Sequence, residues 1–87
     1  MQLEGKIHAI LETRGITDNL TVREFILLDA SNGQYPQHIK FQLKNDRCKA
    51  VDGLNVGDAV RVSFNLVGRK TATGYFNTLD AWRIEMV

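Results

Sequence analysis

Lys40, Gln42 and Lys44 alternate with Ile39, Phe41 and Leu43, so one face of an extended segment would carry two ammonium groups flanking an amide. Arg23 is expected beside them on the preceding strand, and Arg61 and the adjacent pair Arg69-Lys70 supply further positive charge. Tyr75 and Phe76 follow that pair closely. Cations along a backbone and rings on which bases stack are what a single-stranded nucleic acid requires, each stack contributing about 1–3 kcal/mol. Arg23, Lys40, Gln42, Lys44, Arg61, Arg69, Lys70, Tyr75 and Phe76 are therefore the candidate binding residues. The plainer role stands beside this one: solvated lysines are the ordinary outer face of an antiparallel sheet.

Other chemistry finds little to work with. His8, His38 and Cys48 are isolated in the sequence, with neither CxxC nor HxxxH, and each is expected to be structural or merely exposed rather than a metal ligand. Ser31 and Ser63 read as a turn residue and a strand residue, and no nucleophile elbow, P-loop or GxGxxG is present. Neither an enzyme, nor a metal, nor a cofactor is expected.

The elements that must position the candidates follow from composition and periodicity. Eighty-seven residues suit one domain spanning 1–87, and a chain that is 44% hydrophobic and 24% charged is ordinarily globular. A single cysteine excludes an internal disulfide framework, which small secreted domains usually need, so a cytoplasmic setting is expected. No signal peptide or membrane-spanning run is apparent. The net charge is only +1, but from His38 to Lys70 seven basic residues face three acidic ones. That basic middle is compatible with a polyanion.

Leu3, Gly5, Ile7, Ala9 and Leu11 alternate with Glu4, Lys6, His8 and Glu12, predicting a half-buried strand with a bulge or bend at Gly5. Arg14 to Leu20 reads as a loop, and Thr21 to Asp29 as a second strand whose run Phe25-Ile26-Leu27-Leu28 suggests that both faces are covered. Asn32-Gly33 is a turn signal, and Ile39, Phe41 and Leu43 form the inward face of a third strand. Asn45 to Gly53 is the one predicted helix, capped by Asn45 or Asp46, with Cys48 and Val51 inward and Gly53 as its stop. Gly57-Asp58 turns into a fourth strand, Ala59 to Val67, with Val60, Val62, Phe64 and Leu66 inward. Gly68 to Gly74 reads as a basic loop before a last strand from Tyr75 to Met86. Trp82 is expected to pack in the core, unless a bulge near Asp80 turns it toward the groove. Three strands, a short helix and two strands is the order of the five-stranded, Greek-key oligonucleotide/oligosaccharide-binding (OB) barrel, an all-β fold. An SH3-like barrel has no natural place for the helix.

Leu54-x-x-Gly57-Asp58-x-Val60-x-Val62 resembles the entry to the fourth strand of many OB domains, single-stranded-DNA-binding proteins among them. Leu3-Glu4-Gly5-Lys6-Ile7, Phe41-Gln42-Leu43, Val62-Ser63-Phe64-Asn65 and Leu79-x-Ala81-Trp82-Arg83-Ile84 extend the likeness. Together they resemble a family of small bacterial OB-like proteins catalogued as a domain of unknown function. That resemblance implies a fold and a loose kinship with single-strand binders, and no activity. Three functions remain open: a sequence-tolerant binder of single-stranded DNA or RNA, a protein-interaction or homodimer module, and an oligosaccharide or small-ligand binder.

Overall fold

In the computed structural model, residues 1–31 and 33–87 are described. Strand β1 spans Gln2–Ile10, β2 Arg14–Thr17, β3 Leu20–Asp29 and β4 Gln37–Lys44. A 3-10 helix follows at Asn45–Val51, then β5 at Ala59–Thr71 and β6 at Gly74–Met86. One sheet runs in the order β1-β5-β6-β4-β3-β2, and β1 also pairs with β3. That pairing closes five strands into the expected OB-type barrel, with β4 and β6 parallel at Gln42 and Asp80. Long-range bonds extend the pairing of β1 with β5: Phe64 N donates to Met1 O at 2.8 Å and Met1 N donates to Phe64 O at 3.2 Å.

The core is built from the inward positions of these strands. Phe25 and Phe41 are opposite residues of β3 and β4, stacked with ring centroids 5.3 Å apart, and Phe64 of β5 meets Phe41 edge-on at 5.0 Å. Ile7, Leu27, Leu43, Val60 and Val62 surround them, each at most 1% exposed. The 3-10 helix closes one end of the barrel through Cys48 and Val51, and Cys48 Sγ donates to Leu43 O at 3.4 Å. Gly57, at a φ of 96°, turns the chain so that its N–H meets Ile7 O at 2.8 Å, as the Gly57-Asp58 signal predicted.

Several expectations change. Arg14 to Leu20 is not a loop: Arg14–Thr17 is a strand, joined to β3 by a turn at Asp18-Asn19. Gly68 to Gly74 is likewise mostly hairpin, because β5 runs on to Thr71 and leaves Ala72-Thr73 as the turn. The helix is a 3-10 turn ending at Val51, two residues before Gly53, and no side chain caps it. Asn45 instead sits at a φ of 51° and accepts a hydrogen bond from Thr21 N at 2.9 Å, tying the helix to β3. Leu66, expected inward, is 55% exposed, although its partner Leu79 on β6 packs against the core. Leu11 is also exposed, because β1 ends before it. The expected Asn32-Gly33 turn falls on Asn32, which lies outside the described residues.

Two bulges set the phases that periodicity left open. In β1, Ile7 pairs with Leu27 and Ala9 with Ile26, so His8 is the extra residue, three positions after Gly5. In β6, Arg83 pairs with Ser63 and Ala81 with Phe64, so Trp82 is the extra residue and is 45% exposed, not packed in the core. His8 and His38 stand on the two strands flanking β3, yet their rings meet edge-on at 4.6 Å. They reach toward each other across β3, on whose outer face Ile26 and Leu28 are half-buried, so the double-sided apolar run has a partial cover within the chain itself.

Gly5 is fixed by a close approach. A Cβ there would lie 2.5 Å from the backbone oxygen of Leu28 and 3.0 Å from the Leu27 side chain. Gly5→Ala is therefore expected to strain the closure of β1 on β3 and to destabilise the fold by about 1–3 kcal/mol, read by chemical denaturation. Unchanged stability would show that the two strands part without penalty.

Candidate nucleic-acid interface

Opposite residues of an antiparallel pair share a face, so the β3–β4 register sorts the candidates. Val22 pairs with Lys44, Glu24 with Gln42 and Ile26 with Lys40, so these six residues share the outer face of the barrel, on which Val22 is buried. Lys40, Gln42 and Lys44 are thus brought together as expected. Gln42 also aligns with Asp80 of β6, which extends that surface onto the last hairpin. There, Asp80 pairs with Asn65, Thr78 with Val67 and Phe76 with Arg69, all on one face. Lys70 pairs with Tyr75 on the hairpin's other face. Of the two expected aromatics, Phe76 shares the face of Arg69 and is 49% exposed, whereas Tyr75 turns away and is 79% exposed.

Two further candidates lie elsewhere. Arg23 pairs with Leu43, whose side chain is buried, so it points to the core side of β3 and not to the face of Lys40. Its guanidinium closes the barrel end instead: Nε donates to Leu11 O at 2.9 Å, and Nη1 to Cys48 O at 3.3 Å and to Asp52 Oδ1 at 2.6 Å. Parity contained this answer, since Phe25 and Leu27 are inward and residue 23 is in phase with both. Arg61 sits on the outer surface of β5 beside β1, bound to Glu4 Oε2 at 3.2 Å.

A groove of about 280 Å³ opens where β2, the β3–β4 face and the β5–β6 hairpin meet. Ile16, Val22 and Val67 give it an apolar floor; Arg14, Lys44 and Arg69 give it cations. It continues into a cleft of about 320 Å³ between Lys40, Gln42, Asn77 and Thr78. Arg14 and Ile16 were absent from the sequence-derived set because their segment has the composition of a loop. The signal was the pair Asp18-Asn19, a two-residue turn whose return is fastened by Asn19 N donating to Thr17 Oγ1 at 3.3 Å. Val67 and Thr78 escaped notice because the hairpin reaches further than its composition suggests.

The cations are not all free. Glu24 takes Arg14 Nη2 and Lys40 Nζ, each at 3.2 Å, and Asp80 Oδ2 takes Lys44 Nζ at 3.1 Å. Asp80 Oδ1 is buried and has no hydrogen-bond partner among the described residues. Another cleft, of about 410 Å³, lies between the β2 hairpin and the 3-10 helix; Arg23 and Lys49 line it, but Arg23 is already committed to Asp52 and two carbonyls, and Asp18, Asp46 and Asp52 offset the charge. Among the described residues no group of three or more His, Cys, Asp or Glu side chains is placed to hold a metal ion, and no helix is long and apolar enough to cross a membrane.

The sequence profile of the family described as "Domain of unknown function (DUF3127)" matches residues 2–85, in agreement with the resemblance read from the sequence. Comparison with curated protein sequences finds no match. Among solved structures, the N-terminal domain of PriB protein from Thermoanaerobacter tencongensis, described as dimeric, is similar with a TM-score of 0.70 and 21% identity over 100% of this chain and 93% of that one. A mitochondrial single-stranded DNA binding protein from S. cerevisiae is similar with a TM-score of 0.72 and 11% identity, covering 100% of this chain and 92% of that one. At these identities the likeness establishes the OB-type fold.

Proposed function

We propose that this chain, which belongs to the DUF3127 family, is a non-enzymatic binding module that holds single-stranded nucleic acid in the groove between its two hairpins, with little preference for sequence. One observation carries this reading. In OB barrels the ligand groove lies on the face of the second and third barrel strands, between the first and last hairpin loops. Here that place is lined by Arg14, Lys44 and Arg69 over Ile16, Val22 and Val67. The cations suit phosphates; the apolar floor and the Phe76 ring suit base faces, which every base possesses. The names of the two similar structures, PriB and a single-stranded DNA binding protein, support the same reading.

Fluorescence anisotropy of labelled single-stranded DNA and RNA tests it. Binding with a dissociation constant on the order of micromolar or tighter is expected at low salt, weakening steeply as salt rises because neutralised phosphates release counterions. No binding at low salt, or a flat response to salt, would remove the reading.

One observation favours self-association as a second reading. Gly5, Leu28, Ala30, Ala59, Val60 and Val87 line an apolar cleft of about 410 Å³ on the side of the barrel where β1 passes from β3 to β5. Light scattering on a sizing column checks it: a clean monomer at high protein concentration removes the homodimer.

A further inference from the structure

A site for a polyanion carries two carboxylates in its midst. Glu24 stands on β3 between Arg14 of β2 and Lys40 of β4, and divides its oxygens between them: Oε1 to Arg14 and Oε2 to Lys40, both at 3.2 Å. Its side chain is 17% exposed while those of Arg14 and Lys40 are 60% and 63% exposed, so the carboxylate forms the floor and the cations the rim. Asp80 repeats the arrangement at Lys44, with side-chain exposures of 23% and 46%. A carboxylate accepting from a guanidinium and an ammonium offers them what a backbone phosphate would offer: negative charge and paired acceptor oxygens.

We infer that Glu24 is a built-in competitor for the nucleic-acid backbone, occupying Arg14 and Lys40 in the free protein and yielding them to phosphate when a strand binds. Asp80 does the same at Lys44. This rests on the nucleic-acid reading and adds to it what sets the affinity of the groove. Of the cations that line the groove, Arg14 and Lys44 are held in ion pairs and Arg69 has none among the described residues, so a strand makes its first contacts at the β5–β6 hairpin. An isolated anion competes poorly with a carboxylate tethered beside its cations. A strand already held at Arg69 delivers its next phosphates at a comparable effective concentration. The groove is thereby selective for an oligonucleotide over a mononucleotide.

Glu24→Gln retains the size of the side chain and removes its charge. Anisotropy with a labelled mixed-sequence oligonucleotide is expected to show this variant binding on the order of threefold to tenfold tighter than the unmodified chain at low salt. Its salt dependence should be steeper, since cations freed from Glu24 release additional counterions. Equal or weaker binding by Glu24→Gln, with the unmodified chain binding normally, overturns the inference and leaves Glu24 as a residue that merely positions its cations. No binding by either protein overturns the nucleic-acid reading itself. Thermal melting checks that the variant folds; if it does not, Asp80→Asn carries the same expectation at an independent ion pair.

Discussion

Replacing Lys40, Lys44, Arg69 and Lys70 together by alanine is expected to weaken oligonucleotide binding roughly 100-fold or more at low salt, measured by anisotropy, while leaving the fold intact. Three of these residues lie on the groove face, and Lys70 lies on the other side of the hairpin that borders it. For single strands each neutralised phosphate adds about 0.7 to the slope of log affinity against log salt, so the variant's slope should also flatten by about two to three. The control removes equal charge elsewhere. Changing Lys6, Arg47, Lys49 and Arg61 to alanine takes four cations from outside the groove, Arg61 being bound to Glu4 on the β1–β5 side. That set is expected to cost less than about tenfold, through loss of the general attraction that cations exert on a polyanion. Equal losses in the two sets would mean that charge acts without regard to place, and that the groove is not the site.

Phe41→Ala is expected to have the largest effect on stability. Phe41 is fully buried, stacked on Phe25 and met edge-on by Phe64, so one ring joins β3, β4 and β5. Removing a buried phenyl group costs about 3–5 kcal/mol, through lost transfer energy and the cavity left behind. Small domains are stable by only about 5–15 kcal/mol, so the variant should retain little margin. Its melting temperature, followed by circular dichroism, should fall by about 15–30 °C. Phe41→Leu fills much of the space and is expected to lose roughly 1–2 kcal/mol. A loss below about 1 kcal/mol for Phe41→Ala would show that the three rings are not the centre of the core.

The sequence disclosed the barrel because its strands mostly keep a strict two-residue period. Ile39, Phe41 and Leu43 alternate with Lys40, Gln42 and Lys44, and that segment was read correctly throughout. It failed where the period breaks. A single extra residue turns every later side chain to the other face, and neither His8 nor Trp82 carries a mark of being extra. Only the strand opposite reveals it. The groove was half legible for a related reason. Lys40 and Lys44 announce themselves locally, whereas the pairing of Glu24 with Arg14 depends on a hairpin hidden in loop-like composition. Arg23 is in phase with Phe25, so its inward direction is contained in the two-residue period. The length of the β5–β6 hairpin was obscured by Gly68 and Gly74, residues of the kind that end strands more often than they extend them.

The closure of β1 has a kinetic side. Gln2–Lys6 pairs with Ala59–Ser63, and Met1 with Phe64, so the barrel cannot shut until segments more than fifty positions apart have met. The parallel contact of Gln42 with Asp80 comes from still later in the chain. Topologies dominated by such distant pairings pay loop entropy before any contact repays it, and they fold in milliseconds to seconds. On an emerging chain β1 and β4 would both be exposed before their closing partners, β5 and β6, exist. Glu4, Lys6 and Lys40, charged residues on the outer faces of those strands, would then act as guards against wrong pairing before they belong to any surface.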